Sequence, residues 1–262
     1  MRSVRIAATA VLAIALVGGC STSTTGTGTA GTGGSPDEPT KSAPDNGVAA
    51  LKPTEILAKA QAALPKVSSV HISGAGTSDG QKVGLDVKIK GTEGAAGTLS
   101  LPIGSASTST TIKLDFIVIG KDAYIKGDDA FWKALAPSST LSAAALQGKW
   151  LKSSPQSERL KALLAFGDLT ALSTELLKPD GTLTKGEAKE IRGTKSIGLV
   201  DKSTNGGTLY VATQGEPLPL QIVQGKSGTT VDFTDYGKPV ELTAPPADQL
   251  VTEQQVGLTP GG

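Results

Sequence analysis

The chain has 262 residues, enough for one or two domains, with 25 Lys+Arg against 24 Asp+Glu and a single cysteine, Cys20. A near-neutral chain has no electrostatic drive toward nucleic acid, where neutralised phosphates supply much of the affinity. One cysteine leaves no internal disulfide and no cysteine-based metal site. Aromatic residues make up 3% and Met1 is the one methionine, so the core has to be built from Val, Ile, Leu and Ala.

Arg2 and Arg5 precede an apolar run from Ile6 to Val17. The run falls short of the ~20 residues that span a bilayer, so it is expected to be a secretory leader. It ends in Val17-Gly18-Gly19-Cys20, which resembles a bacterial lipobox. The resemblance implies cleavage before Cys20 and a diacylglyceryl group on its thiol, often with a further acyl group on the new amine. Each buried methylene contributes ~0.8 kcal/mol, and two or three chains hold persistently where one does not. The expected site is the outer face of the cell membrane. Residues 1–19 are then the signal peptide and residues 20–47 the lipidated cysteine plus a Ser/Thr/Gly tether. The tether has almost nothing apolar to offset its backbone entropy, and as a coil it spans about 30 Å.

Residues 48–252 are expected to form a single domain, and 253–262 a disordered tail. A helix is predicted over 53–64, started by Thr54 as N-cap and stopped by Pro65. Strands follow. Val70 and Ile72 lead to an Asp79-Gly80 turn. Val83, Leu85, Val87 and Ile89 then alternate with Gly84, Asp86, Lys88 and Lys90, the period of a strand with one dry face and one wet face. Leu99, Leu101 and Ile103 repeat the pattern, as do Ile112, Leu114, Phe116 and Val118, and Ala123 to Lys126 adds a short strand.

From Gly127 to Lys178 the character is helical. Asp128-Asp129 reads as a turn and helix start, and Asp168 as the cap of a helix carrying Leu169, Leu172 and Leu176. A second meander occupies 182–191, 194–201, 207–213, 218–225 and 228–236, with turns at Asn205-Gly206, Gly215 and Ser227-Gly228. Pro239 to Leu242 is a last extended piece, and Pro245-Pro246 leads out of the fold. Strands grouped apart from helices predict an α+β fold, a curved antiparallel sheet covered by helices. Helices faced by Leu and Ala over a wide concave sheet leave two outcomes open: an apolar cavity, or an ordinary filled core.

Several features together carry a further resemblance: the lipobox, the tether, the opening helix, Tyr124-Ile125-Lys126-Gly127 with Phe131-Trp132, Gly207 to Val211, and Asp232 to Gly237. Over about residues 50–250 the chain resembles the actinobacterial lipoproteins typified by LprG and LppX, which share a fold with the lipoprotein carrier LolA. The resemblance implies a half-barrel closed by helices that holds lipids or glycolipids and moves them outward, with a membrane transporter as a partner. It implies a cavity lined by Leu85, Val87, Ile89, Leu99, Leu101, Leu114, Phe116 and Val118, with Leu163, Leu172 and Leu176 from the lid. Trp132 and Trp150 flank the insert, either as anchors or at a cavity mouth. The alternative is an anchored interaction or sensor domain with a filled core.

No catalytic machinery is expected. There is no Gly-x-Ser-x-Gly elbow and no phosphate loop, and Gly225 to Gly228 lacks the spacing of the former. His71, the single histidine, sits on a predicted strand with no partner that the sequence identifies, and is expected to be an exposed strand histidine rather than a base. No cofactor and no metal are expected.

Overall fold

The computed structural model describes residues 43–78, 81–103, 110–136, 139, 141–153, 161–204, 206–224 and 229–258. The lipobox with Cys20, the tether up to residue 42, and the expected turns at Asp79-Gly80, Asn205 and Ser227-Gly228 lie outside these residues.

Helix α1, Pro53–Ala63, opens the domain. Thr54 is not its cap. Pro53 takes the first helical position, where its missing N–H costs nothing, and the Glu55 carboxylate accepts from Lys52 N at 2.9 Å. Five strands follow: β1 (Val70–Ser78), β2 (Gln81–Lys90), β3 (Gly94–Ile103), β4 (Thr110–Ile119) and β5 (Asp122–Gly127). The insert holds α2 (Asp129–Leu135), α3 (Ala143–Leu146), β6 (Trp150–Ser153), α4 (Lys161–Leu164) and α5 (Leu169–Leu176). Asp128 starts α2, accepting from Phe131 N at 2.8 Å and Lys113 N at 2.9 Å. Asp168 caps α5 through Thr170 N and Ala171 N. The second meander is β7 (Leu183–Ile191), β8 (Thr194–Asp201), β9 (Gly207–Ala212), β10 (Pro219–Gln224) and β11 (Thr230–Thr234), and β12 (Leu250–Thr252) comes last.

Among the described residues twelve strands form one open sheet in the order β12-β6-β5-β4-β3-β2-β1-β11-β10-β9-β8-β7. The second meander therefore continues the sheet beyond β1, through β11, rather than beyond the insert. The expected all-antiparallel sheet is corrected at one edge, where β12 runs parallel to β6. Pro239 to Leu242 is not a strand. The chain instead returns after Pro246, because Val251 and Val256 have core positions to fill, so 253–258 do not behave as the expected tail. At the other end, Asp45 bridges to Gln214 and Asn46 N donates to Thr213 O at 3.0 Å. Chain within the expected tether thus already lies against the sheet.

The register shows why the sheet has one dry face. Val251, Leu151, Ile125, Phe116, Gly97, Val87, Ile72 and Phe233 stand opposite one another in successive pairs across eight strands. Every side chain in that row is buried. Gly97 is the gap in it: a Cβ there would lie 2.2 Å from the Asp86 carbonyl oxygen.

One dry face is not the whole account. Ile191, Tyr210, Ala212 and Leu220 form a small second core apart from the main one. The β7–β8 turn has positive φ at Arg192 (50°) and Gly193 (78°), the backbone that suits a two-residue hairpin. From that turn Arg192 donates to Leu220 O at 2.6 Å and Phe233 O at 3.0 Å and pairs with Asp232. A side chain on the β7–β8 turn reaches β10 and β11 only because the sheet curls strongly at this end.

Candidate functional site

A second row of paired residues lies one step from the dry row. It runs Gly127, Leu114, Leu99, Leu85, Gly74, Val231, Ile222, Leu209, Leu199 and Lys185. Leu114, Leu99 and Leu199 are buried, while Leu85, Val231, Ile222 and Leu209 are half-buried. Gly74 leaves the middle of the row without a side chain. It has to, since a Cβ there would sit 2.7 Å from Thr230 O.

Over the second half of this row is a cleft of about 130 Å³. Its apolar wall is Leu57 of α1, Leu176 and Leu177 at the end of α5, and Leu183, Leu199, Leu209 and Ile222 from the sheet. Lys178, Asp180, Asp201 and Gln224 supply its polar border. Asp201 organises that border. Its carboxylate accepts from Asp180 N at 2.8 Å, Gly181 N at 3.3 Å and Ser203 N at 2.8 Å. Burial raises its pKa, but these donors outweigh that and hold it below the usual carboxylate value.

The residues expected to line a cavity are brought together on one face but serve two purposes. Val87 and Phe116 belong to the dry row, and Ile89 and Val118 pair through Ala95 in a third, equally buried row. The 3-10 turn Ala165–Gly167 presses on them. Phe166 meets Phe116 with ring centroids 5.4 Å apart, and a Cβ on Gly167 would lie 2.7 Å from a Val118 methyl. Leu163 is buried in the same core, and Leu172 packs against it partly buried. Leu85, Leu99 and Leu114 share the row of the cleft but lie beyond Gly74. Leu101 is 41% exposed. Of the expected lining, Leu176 alone borders this cleft. Leu57, Leu199, Leu209 and Ile222 were missed; their alternation was visible, but not that β11 would join β1.

Trp132 is 2% exposed and set edge-on to Phe131 at 5.2 Å, an anchor for the insert. Trp150 alternates with the inward Leu151 and carries the Lys126 ammonium 4.7 Å from its ring. Neither borders the cleft. His71, expected to be exposed, is half-buried, and the structure supplies the partners the sequence did not identify: Nε2 lies 2.9 Å from Asp86 Oδ1 and Nδ1 3.3 Å from the Thr234 hydroxyl. Thr234 comes from β11, 163 residues away, so no local pattern could reveal it. Tyr236 donates to Pro219 O at 2.5 Å, and burial pushes its phenol pKa up. Among the described residues no group of three metal-ligating side chains comes together, and no helix is long and apolar enough to cross a membrane.

A curved, unclosed sheet carrying helices on its dry face is the LolA-like architecture of the LprG/LppX-type lipoproteins, as the sequence resemblance implied. LprF of Mycobacterium bovis matches with a TM-score of 0.50 at 15% identity, covering 74% of this chain and 96% of that one. The lipoprotein LppX of Mycobacterium tuberculosis matches with a TM-score of 0.40, also at 15% identity, over 72% of this chain and 99% of that one. No protein-family model and no curated protein matches the sequence.

Proposed function

We propose that this chain is a membrane-anchored extracytoplasmic lipoprotein that holds a lipid or other apolar molecule between its sheet and its helices, without catalysing a reaction on it. The observation that carries the reading is the cleft walled by Leu57, Leu176, Leu199, Leu209 and Ile222 and bordered by polar groups, the composition of a small-molecule site. The fold likeness to LprF supports it. The Cys20 anchor keeps the domain within about 30 Å of the lipid surface, and exchange of cargo with a membrane transporter belongs to the same reading.

A second reading, an anchored interaction domain with a filled core, is favoured by the first half of the sheet, where Phe166 and Gly167 close directly on Phe116 and Val118. Native mass spectrometry of the full chain, followed by organic extraction, separates the two. A bound mass that extracts as lipid is expected. A clean mass with no uptake from the host's lipid extract supports the second reading. The anchor is tested by the mass of a diacylglyceryl group, expected on the unaltered chain and lost in Cys20→Ser.

A further inference from the structure

We propose that the cleft between α1, the end of α5 and strands β8–β10 binds a single short alkyl chain whose polar head carries no negative charge. This deepens the carrier reading and rests on it. The first argument is volume. The half-open cleft holds about 130 Å³, and about four methylenes fill it if each takes roughly the ~30 Å³ of a water.

The second argument is depth. Leu199 and Leu209 line the cleft, and the next residues inward on the same faces of β8 and β9, Ile197 and Val211, are buried in the main core. The space therefore ends one step in, and two residues along a strand span about 6.6 Å, the length of about five carbons. A multiply acylated lipid exceeds both limits.

The third argument is the border. Asp180 and Asp201 stand there against one ammonium, that of Lys178. Two carboxylates against one ammonium leave the border net negative, so a carboxylate head is opposed there and a head without negative charge is not. The Asp201 oxygens are already engaged by Asp180 N, Gly181 N and Ser203 N, so they hold the rim rather than a charged guest. A hydroxyl, glycosyl or ammonium head meets no such opposition.

The test is calorimetric titration of the full chain, carrying Cys20→Ser so that no acyl group of its own competes, with n-alkanols from three to ten carbons and the matching n-alkanoates. Affinity is expected to rise about fourfold per methylene and to level off at about five carbons, with the alkanoates several-fold weaker. Leu209→Trp is expected to abolish binding, and Leu141→Trp, outside the cleft, to leave it unchanged. If Leu209→Trp does not fold, the length series on the parent chain decides alone. A rise continuing unbroken to ten carbons overturns the proposal, as does binding indifferent to Leu209→Trp. Absence of alkanol binding while long-chain lipid co-purifies overturns this inference and leaves the carrier reading standing. Absence of both overturns the two together.

Discussion

The two halves of this sheet share a period, a residue vocabulary and a dry face, yet they are covered differently. Over β2–β4 the turn Ala165–Gly167 lies flat on the strands, with Phe166 against Phe116 and Gly167 against Val118. Over β8–β10 the cover comes from two separate helices, α1 and the end of α5, and Leu57 and Leu176 leave space above Leu209 and Ile222. The second half is braced from behind instead, by the small core around Tyr210 and by Arg192 reaching β10 and β11. An aromatic ring and a glycine without a side chain let cover and sheet touch in one half. Leucines meeting leucines from converging helices keep them apart in the other.

The largest expected contrast lies in core truncation. Phe116→Ala should cost about 3–5 kcal/mol in urea unfolding, whereas Leu209→Ala, half-buried beside open space, should cost about 1 kcal/mol. Equal losses would erase the distinction between a filled half and an unfilled one. Gly97→Ala drives a methyl toward the Asp86 carbonyl and should cost about 1–3 kcal/mol, read as a lower unfolding midpoint and faster amide exchange in β2 and β3.

On the second half, Arg192→Ala should cost about 1–2 kcal/mol, since its hydrogen bonds are charge-assisted but partly exposed. Arg192→Lys should not restore it, because one ammonium cannot reproduce the fork to Asp232, Leu220 and Phe233. Removing the α5 cap by Asp168→Ala should cost about 1 kcal/mol and raise amide exchange in the first turn of α5.

The smallest effect is one of pH. The folded-state pKa of Asp201 is lowered, so its contribution is fully present above the unfolded carboxylate pKa and is lost as pH falls through the folded value. The stability difference between the parent chain and Asp201→Asn should therefore be constant near neutrality and shrink in acid. A difference that grew in acid would show that Asp201 does not hold the border of the cleft as an anion.

The strands of both meanders, the opening helix and the cap at Asp168 were legible because each depends on neighbours in sequence: alternation for β2 and β4, an acceptor two and three residues before its donors for α5. Thr54 misled because Pro53 starts a helix one residue earlier and Glu55 supplies the acceptor. The partner of His71 was not legible because its strand pattern says nothing about Thr234 on β11. The candidate site was half legible. The apolar row was visible through Leu85, Leu99 and Leu114, but its continuation into Ile222, Leu209 and Leu199 depends on β11 pairing with β1.

By itself the sequence determined which residues form strands and which face of each is apolar, because the two-residue period of a strand is a local property. It also determined that the apolar face had to be covered by the helices, since a sheet face lined with Val, Ile and Leu is not left in water. Only the tertiary structure decided the order of strands, the parallel return of β12, the second core behind the second meander, and where the cover touches the sheet. Those outcomes rest on contacts between residues a hundred or more positions apart, such as Val251 with Leu151 and Thr234 with His71, whose closure is decided by the summed packing of the whole core rather than by any one segment.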